Sequence, residues 1–157
     1  MEIFRVSLFG HREIDDLRVL DERLAPSIKR FLQEKEHVSF LIGRNGEFDE
    51  YAASLIKHIQ RITGKENSDL TLVLPYQVAK MEYYEEYYDA ILLPDRVIGA
   101  HPKSAITLKN RWMVECADLL IVYVERQAGG AYAAMKYAES LHKPIVNLYK
   151  DKNESPQ

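Results

Sequence analysis

Short apolar runs alternate along this chain with longer stretches in which apolar residues recur every three or four positions. The first run, residues 3–9, predicts a strand. A glycine turn and a helical stretch over about residues 15–35 follow, in which Leu17, Leu20, Leu24, Ile28, Phe31 and Leu32 make one apolar stripe. Pro26 interrupts that stripe and predicts a kink or two abutting helices. Residues 37–42 read as a second strand and 49–62 as a second helix, closed by Gly64 as a C-cap. Residues 70–74 are a third strand, ended by Pro75. The middle is less regular, with a short tyrosine-rich helix over 81–88 and an extended piece over 91–98 interrupted by Pro94. Helix returns over 103–117, strand over 118–124, helix after Gly129-Gly130, and strand over 144–148.

Strand alternating with helix implies the α/β class: a Rossmann-like, doubly wound, mostly parallel sheet with helices on both faces. The run Leu119-Leu120-Ile121-Val122 suits a central strand buried on both sides. There is no internal repeat and no low-complexity linker. Residues 1–150 therefore read as one domain, and 151–157 as a polar, frayed tail.

Composition narrows the partners. The 157 residues, 46% hydrophobic and 29% charged, suit one globular domain with a real core. A formal net charge of −3 argues against a partner held by neutralising many phosphates, so nucleic acid is not expected. Cys116 is the single cysteine and the histidines show no ligand spacing, so neither a metal nor another cofactor is expected. The apolar start is too short for a signal peptide, and no run approaches the ~18–20 residues that span a membrane. The expected location is the cytoplasm, with no membrane partner.

The candidate chemistry lies in the loops. In an open parallel sheet, ligands bind beyond the carboxyl ends of the strands. Three such junctions carry glycine: Phe9-Gly10-His11-Arg12, Gly43-Arg44-Asn45-Gly46-Glu47-Phe48-Asp49 and Arg126-Gln127-Ala128-Gly129-Gly130. Glycine lets the backbone come close to a ligand, and the helix that follows offers unpaired N–H groups to an anion. Each loop also holds an arginine, and guanidinium groups grip phosphate through paired donors. Arg111 lies in the helix just before the strand over 118–124. Several of these residues have an ordinary reading as well: His11 as a packed turn residue, Asp49 as a helix N-terminal charge. Tyr83, Tyr84, Tyr87 and Tyr88 read as packing or a subunit contact rather than a base-stacking platform. Trp112 and Met113 read as packing beside the pocket, and Cys116, without positive neighbours, as structural. The P-loop, the dinucleotide fingerprint after the first strand and the nucleophile elbow are all absent, which argues against NTPase, dehydrogenase and α/β-hydrolase chemistry.

Taken in order, Gly-His-Arg, Ile-Gly-Arg-Asn-Gly-Glu-Phe-Asp, Asn-Arg-Trp-Met before a strand, and Gly-Gly before an alanine-rich helix resemble the SLOG superfamily of Rossmann-like domains. That group includes DprA-type DNA-processing proteins and the LOG phosphoribohydrolases. The likeness is nearest to an uncharacterised bacterial branch, the YpsA-like proteins. The resemblance implies a pocket for nucleotides or nucleotide-derived ligands, lined by Gly10, His11, Arg12, Gly43, Arg44, Asn45, Gly46, Phe48, Asp49, Arg111, Gly129 and Gly130. The hydrolase members pair an arginine and methionine with a glycine loop and a catalytic glutamate. Arg111 and Met113 fit the first half. Ala131, Ala133 and Ala134 stand where the second half needs threonine and glutamate, and Glu139 is almost two turns further on.

The expected function is therefore binding or sensing of a phosphorylated, nucleotide-derived small molecule. Arg12, Arg44 and Arg126 would hold phosphate, and His11 and the Trp112 neighbourhood would lie near sugar or base. The alternative is N-glycosidic hydrolysis of nucleoside 5′-monophosphates, with Arg111 and Asp49, or else Glu47, as the catalytic groups. A DprA-like DNA-binding role ranks third. The tyrosine helix is the candidate surface for a homodimer.

Overall fold

The computed structural model describes residues 1–149, and the tail expected over 151–157 lies outside the described residues. The strands are β1 (Ile3–Gly10), β2 (His37–Ile42), β3 (Ser68–Val73), β4 (Ala90–Leu92), β5 (Leu119–Tyr123) and β6 (Ile145–Asn147). They form one six-stranded sheet in the order β4-β3-β2-β1-β5-β6. Every pairing is parallel. The helices are α1 (Ala25–Glu34), α2 (Glu47–Thr63), α3 (Met81–Tyr87), α4 (Pro102–Cys116) and α5 (Gly130–Ser140). The chain runs outward from β1 to β4, then returns through α4 to lay β5 on the other side of β1. The strand order reverses between β1 and β5, where an open α/β sheet leaves a crevice at its carboxyl edge.

Alternation along each strand divides the core into two layers. Val6, Leu8, Phe40, Ile42, Leu70, Leu72 and Ile121 pack with Leu24, Ile28 and Phe31 and with Ala52, Ile56 and Ile59 of α2. The intervening residues Phe9, Leu41, Leu120 and Val122 pack with Met113 and Val114 of α4 and with Ala131, Ala134 and Ala138 of α5. Each fully buried Leu, Ile or Phe contributes about 1.5–3 kcal/mol, so sheet and helices specify one another. Ser7 falls on the α4 side, where its buried hydroxyl donates to the Met113 carbonyl at 2.7 Å. That bond removes the penalty of an unpaired polar group in the core.

The break expected at Pro26 is a π-helical turn over Leu20–Leu24, directly before α1. The Ala25 N–H reaches back to the Leu20 carbonyl, and Pro26 enters the first turn of α1, where a missing N–H costs nothing. Gly64 closes α2 in the left-handed region, at φ 64°, donating to the Gln60 carbonyl. The piece expected over 91–98 divides into β4 and a 3-10 turn at Asp95–Val97, with Pro94 between them. Among the described residues, no helix is long and apolar enough to cross a membrane.

Candidate functional site

A cleft of about 440 Å³ opens at the carboxyl edge of the sheet, at the reversal between β1 and β5. The ends of β1, β2 and β5 bring all three glycine loops to it. Gly10, His11 and Arg12 come from the first loop, Gly43, Asn45 and Asp49 from the second, and Arg126, Ala128, Gly129 and Gly130 from the third. Ile106, Lys109 and Asn110 of α4 complete the wall.

Close backbone approach builds the rim. A Cβ on Gly10 would stand 2.1 Å from Cγ of Phe48, so the ring at the start of α2 seats on bare backbone. A Cβ on Gly46 would stand 2.4 Å from Cα of Arg12, so the first two loops also meet there. Glu47 ties them: its N–H donates to the Arg12 carbonyl at 2.8 Å, and its carboxylate accepts the Ile14 N–H at 2.9 Å. His11 performs the same task for the third loop. Its buried Nε2 accepts the N–H groups of Glu125 at 2.9 Å and Arg126 at 3.1 Å, which puts the ring proton on Nδ1. Burial, and then the nearby Arg126 charge, hold the imidazole below its ordinary pKa against the opposing pull of Glu125. Gly129 takes φ 91°, a left-handed conformation that turns the chain into α5. Gly130 and Ala131, in the first turn, present N–H groups with no intrahelical partner to the cleft.

The centre of the wall holds two buried titratable groups of opposite kind, Lys109 and Asp49. Lys109 is 2% exposed, and no hydrogen-bond acceptor among the described residues serves its ammonium. Its Nζ lies 3.0 Å, and Oδ2 of Asp49 3.3 Å, from where a Cβ on Gly43 would be. The absence of a side chain at Gly43 is what leaves both groups open to the cleft. Burial pushes Lys109 down to about 8, against the pull of Asp49. Burial likewise pushes the Asp49 carboxyl up, against the Asn45 N–H that its Oδ2 accepts at 2.8 Å and the Lys109 charge. Asn110 adds a buried Oδ1 with no donor.

Of the twelve residues that the resemblance places at the pocket, eight share this wall: Gly10, His11, Arg12, Gly43, Asn45, Asp49, Gly129 and Gly130. Four stand elsewhere. Phe48 is fully buried beneath Gly10, and Gly46 touches the Arg12 backbone. Arg44 lies outside this cleft, with its guanidinium 5.2 Å from the Tyr84 ring centre. Arg111 projects from the exposed side of α4 over the Tyr137 ring, at 5.1 Å. Glu139 pairs with Lys136 on the surface of α5 at 2.7 Å. Sequence reasoning missed Lys109. The available signal was its place in the stripe Ala105, Lys109, Met113, where a lysine replaces an apolar residue on the buried side of α4.

No family model matches the chain, and no curated protein does. Solved structures are similar to it in fold, among them two DNA processing proteins. One is DNA processing protein A from Helicobacter pylori, described for its single-stranded DNA binding mode. It has a TM-score of 0.66 and 15% identity over 97% of this chain and 68% of that one. The other is DprA from Streptococcus pneumoniae, with a TM-score of 0.61 and 16% identity over 91% of this chain and 49% of that one. The chain thus spans about two thirds of the first protein and half of the second, and it shares their Rossmann-like fold. The likeness corrects one expectation. Net charge, small size and the lack of a Lys/Arg stripe had set nucleic acid aside, yet the same fold serves single-stranded DNA binding in the Helicobacter pylori protein. Net charge sums over the whole surface, whereas a strand meets a local patch, so the value of −3 decides nothing here.

Proposed function

We propose that this chain holds a phosphorylated, nucleotide-like ligand in the β1–β5 cleft, as a binding or sensing domain. The observation that carries this reading is the charge of the wall. Arg12, Lys109, Arg126 and the first-turn N–H groups of α5 stand against one carboxylate, Asp49, which already accepts the Asn45 N–H. Phosphate suits the helix N-terminus and the ammonium, and a sugar hydroxyl suits the unpaired Asn110 Oδ1. The volume lies within the ~300–1,000 Å³ of small-molecule sites. Kinship with the SLOG superfamily agrees with the order of the loops and with the fold likeness, and placement in its YpsA-like branch rests on the order of the loops alone. Cytoplasmic placement and a single domain over 1–150 belong to the same reading, and Tyr83, 69% exposed on α3, marks the surface for a homodimer.

The fold likeness favours a second reading, in which the phosphate belongs to a single strand of DNA. Hydrolysis of nucleoside monophosphates draws less support, because Asp49 is buried and engaged and Arg111 lies off the wall. Calorimetric titration with nucleoside 5′-monophosphates and with a single-stranded oligodeoxythymidylate, plus chromatography for released base, separates the three. The binding reading expects saturable nucleotide uptake without base release. Base release lost in Asp49→Ala would establish the hydrolase. Strand binding with a steep salt dependence and no nucleotide binding would establish the DNA reading.

A further inference from the structure

A second, smaller cavity of about 80 Å³ adjoins the cleft at the ends of β2 and β3. Asn45 and Lys109 line both. The remaining polar side chains of the small cavity are Arg44 and Tyr76, and no carboxylate lines it. Its space is small beside that of the cleft, and a phosphoryl group fits it. The α3 helix has a part here. The Tyr84 ring, itself packed on Tyr88, lies under the Arg44 guanidinium and fixes it beside the cavity. Lys109 therefore stands between two cation-lined spaces, with three N–H donors and no acceptor among the described residues.

We propose that the two cavities are one site for a diphosphate, the phosphoanhydride of a nucleoside diphosphate. One phosphoryl group lies in the main cleft and the other in the small cavity beside Arg44, and the Lys109 ammonium bridges them. One ammonium reaches two phosphoryl groups together when they share a bridging oxygen, which favours a free diphosphate over successive phosphates of a strand. The inference rests on the main cleft being a phosphate site, and it adds the second subsite and the ligand class.

The test is calorimetry on the full chain, without divalent cations, with orthophosphate, pyrophosphate, AMP, ADP and a single-stranded oligodeoxythymidylate as probes. Pyrophosphate is expected to bind at least tenfold more tightly than orthophosphate, and ADP than AMP. Arg44→Gln, a change at an exposed residue, is expected to remove that advantage while leaving orthophosphate and AMP within twofold. Tyr84→Leu, which frees Arg44, should remove part of it. Far-UV circular dichroism checks that both variants are folded. Equal affinity for mono- and diphosphates, an Arg44→Gln loss shared by both, or an oligonucleotide that binds more tightly than ADP would overturn the proposal. If orthophosphate and AMP bind but the diphosphates gain nothing, the second subsite alone fails. If no probe binds, the reading of the main cleft fails as well.

Discussion

Replacing Lys109 with methionine separates the energetics of the site from its ligand. The side chain keeps its length and apolar stem, in a residue that is 2% exposed, but loses an ammonium that lacks a hydrogen-bond acceptor. In the unfolded chain this lysine titrates near 10.5; in the folded protein burial brings it to about 8. Between those values the unfolded state binds more protons than the folded one, so stability rises with pH across the window. At about 1.4 kcal/mol for each pH unit, holding the ammonium buried costs the wild-type protein about 3 kcal/mol at neutral pH. That cost is gone once both states are neutral, above about pH 10.5. Asp49 faces the same space, and burial pushes its carboxyl up. Urea unfolding of wild type and Lys109→Met from about pH 7.5 to about pH 10 should therefore show wild type gaining about 2 kcal/mol relative to the variant. A phosphate ligand favours the ammonium, so wild-type affinity for orthophosphate should weaken as pH rises past about 8. Parallel stability profiles for the two proteins would refute the argument, because they would mean that Lys109 titrates as a solvated lysine.

His11→Gln tests the brace under the third loop. The folded imidazole titrates below 6.5, so the unfolded state takes up the proton first and wild-type stability should fall as pH drops below about 6.5. The glutamine variant should have a flatter urea midpoint over that range, and an equal slope would remove His11 as the cause. Gly10→Ala drives a methyl group into Phe48 and should cost about 1–3 kcal/mol by chemical denaturation. Combined with Phe48→Leu it should cost less than the two changes summed, and strict additivity would show that the two residues do not meet. Arg111→Ala should leave AMP affinity within twofold by calorimetry and lose about 0.5–1 kcal/mol of stability with the Tyr137 contact. A tenfold loss of affinity would bring Arg111 back to the site.

The fold was legible because each β-strand is a local apolar run and each long helix a local stripe. Residues 37–42, expected as a strand, are β2 residue for residue, and Gly64 caps α2 as its position implied. Pro26 announced an interruption, but the sequence did not say that a π-helical turn would absorb it, since that depends on how Leu20 and Leu24 seat on the sheet. Glycines 10, 43, 129 and 130 were visible as wall residues because they follow strands whose ends the topology must gather. Phe48 and Gly46 belong to the same motif yet serve the loops' contacts with one another, a distinction that only packing makes. Arginines drew attention because they sit in loops. Arg111 and Lys109 are two residues apart on α4, so the helical turn sends one outward over Tyr137 and the other into the core. Lys109 stayed hidden because the residues it faces, Gly43 and Asp49, are far away in sequence.

The central claim, that the cleft between β1 and β5 receives a nucleotide phosphate, is tested most directly by amide chemical shifts during titration with AMP. The account predicts saturating shifts at Gly43, Gly129, Gly130 and Ala131, with the same binding constant at each and little change at Tyr83 on α3. Shifts confined to α3, or no shift at the four cleft amides at millimolar nucleotide, would contradict it.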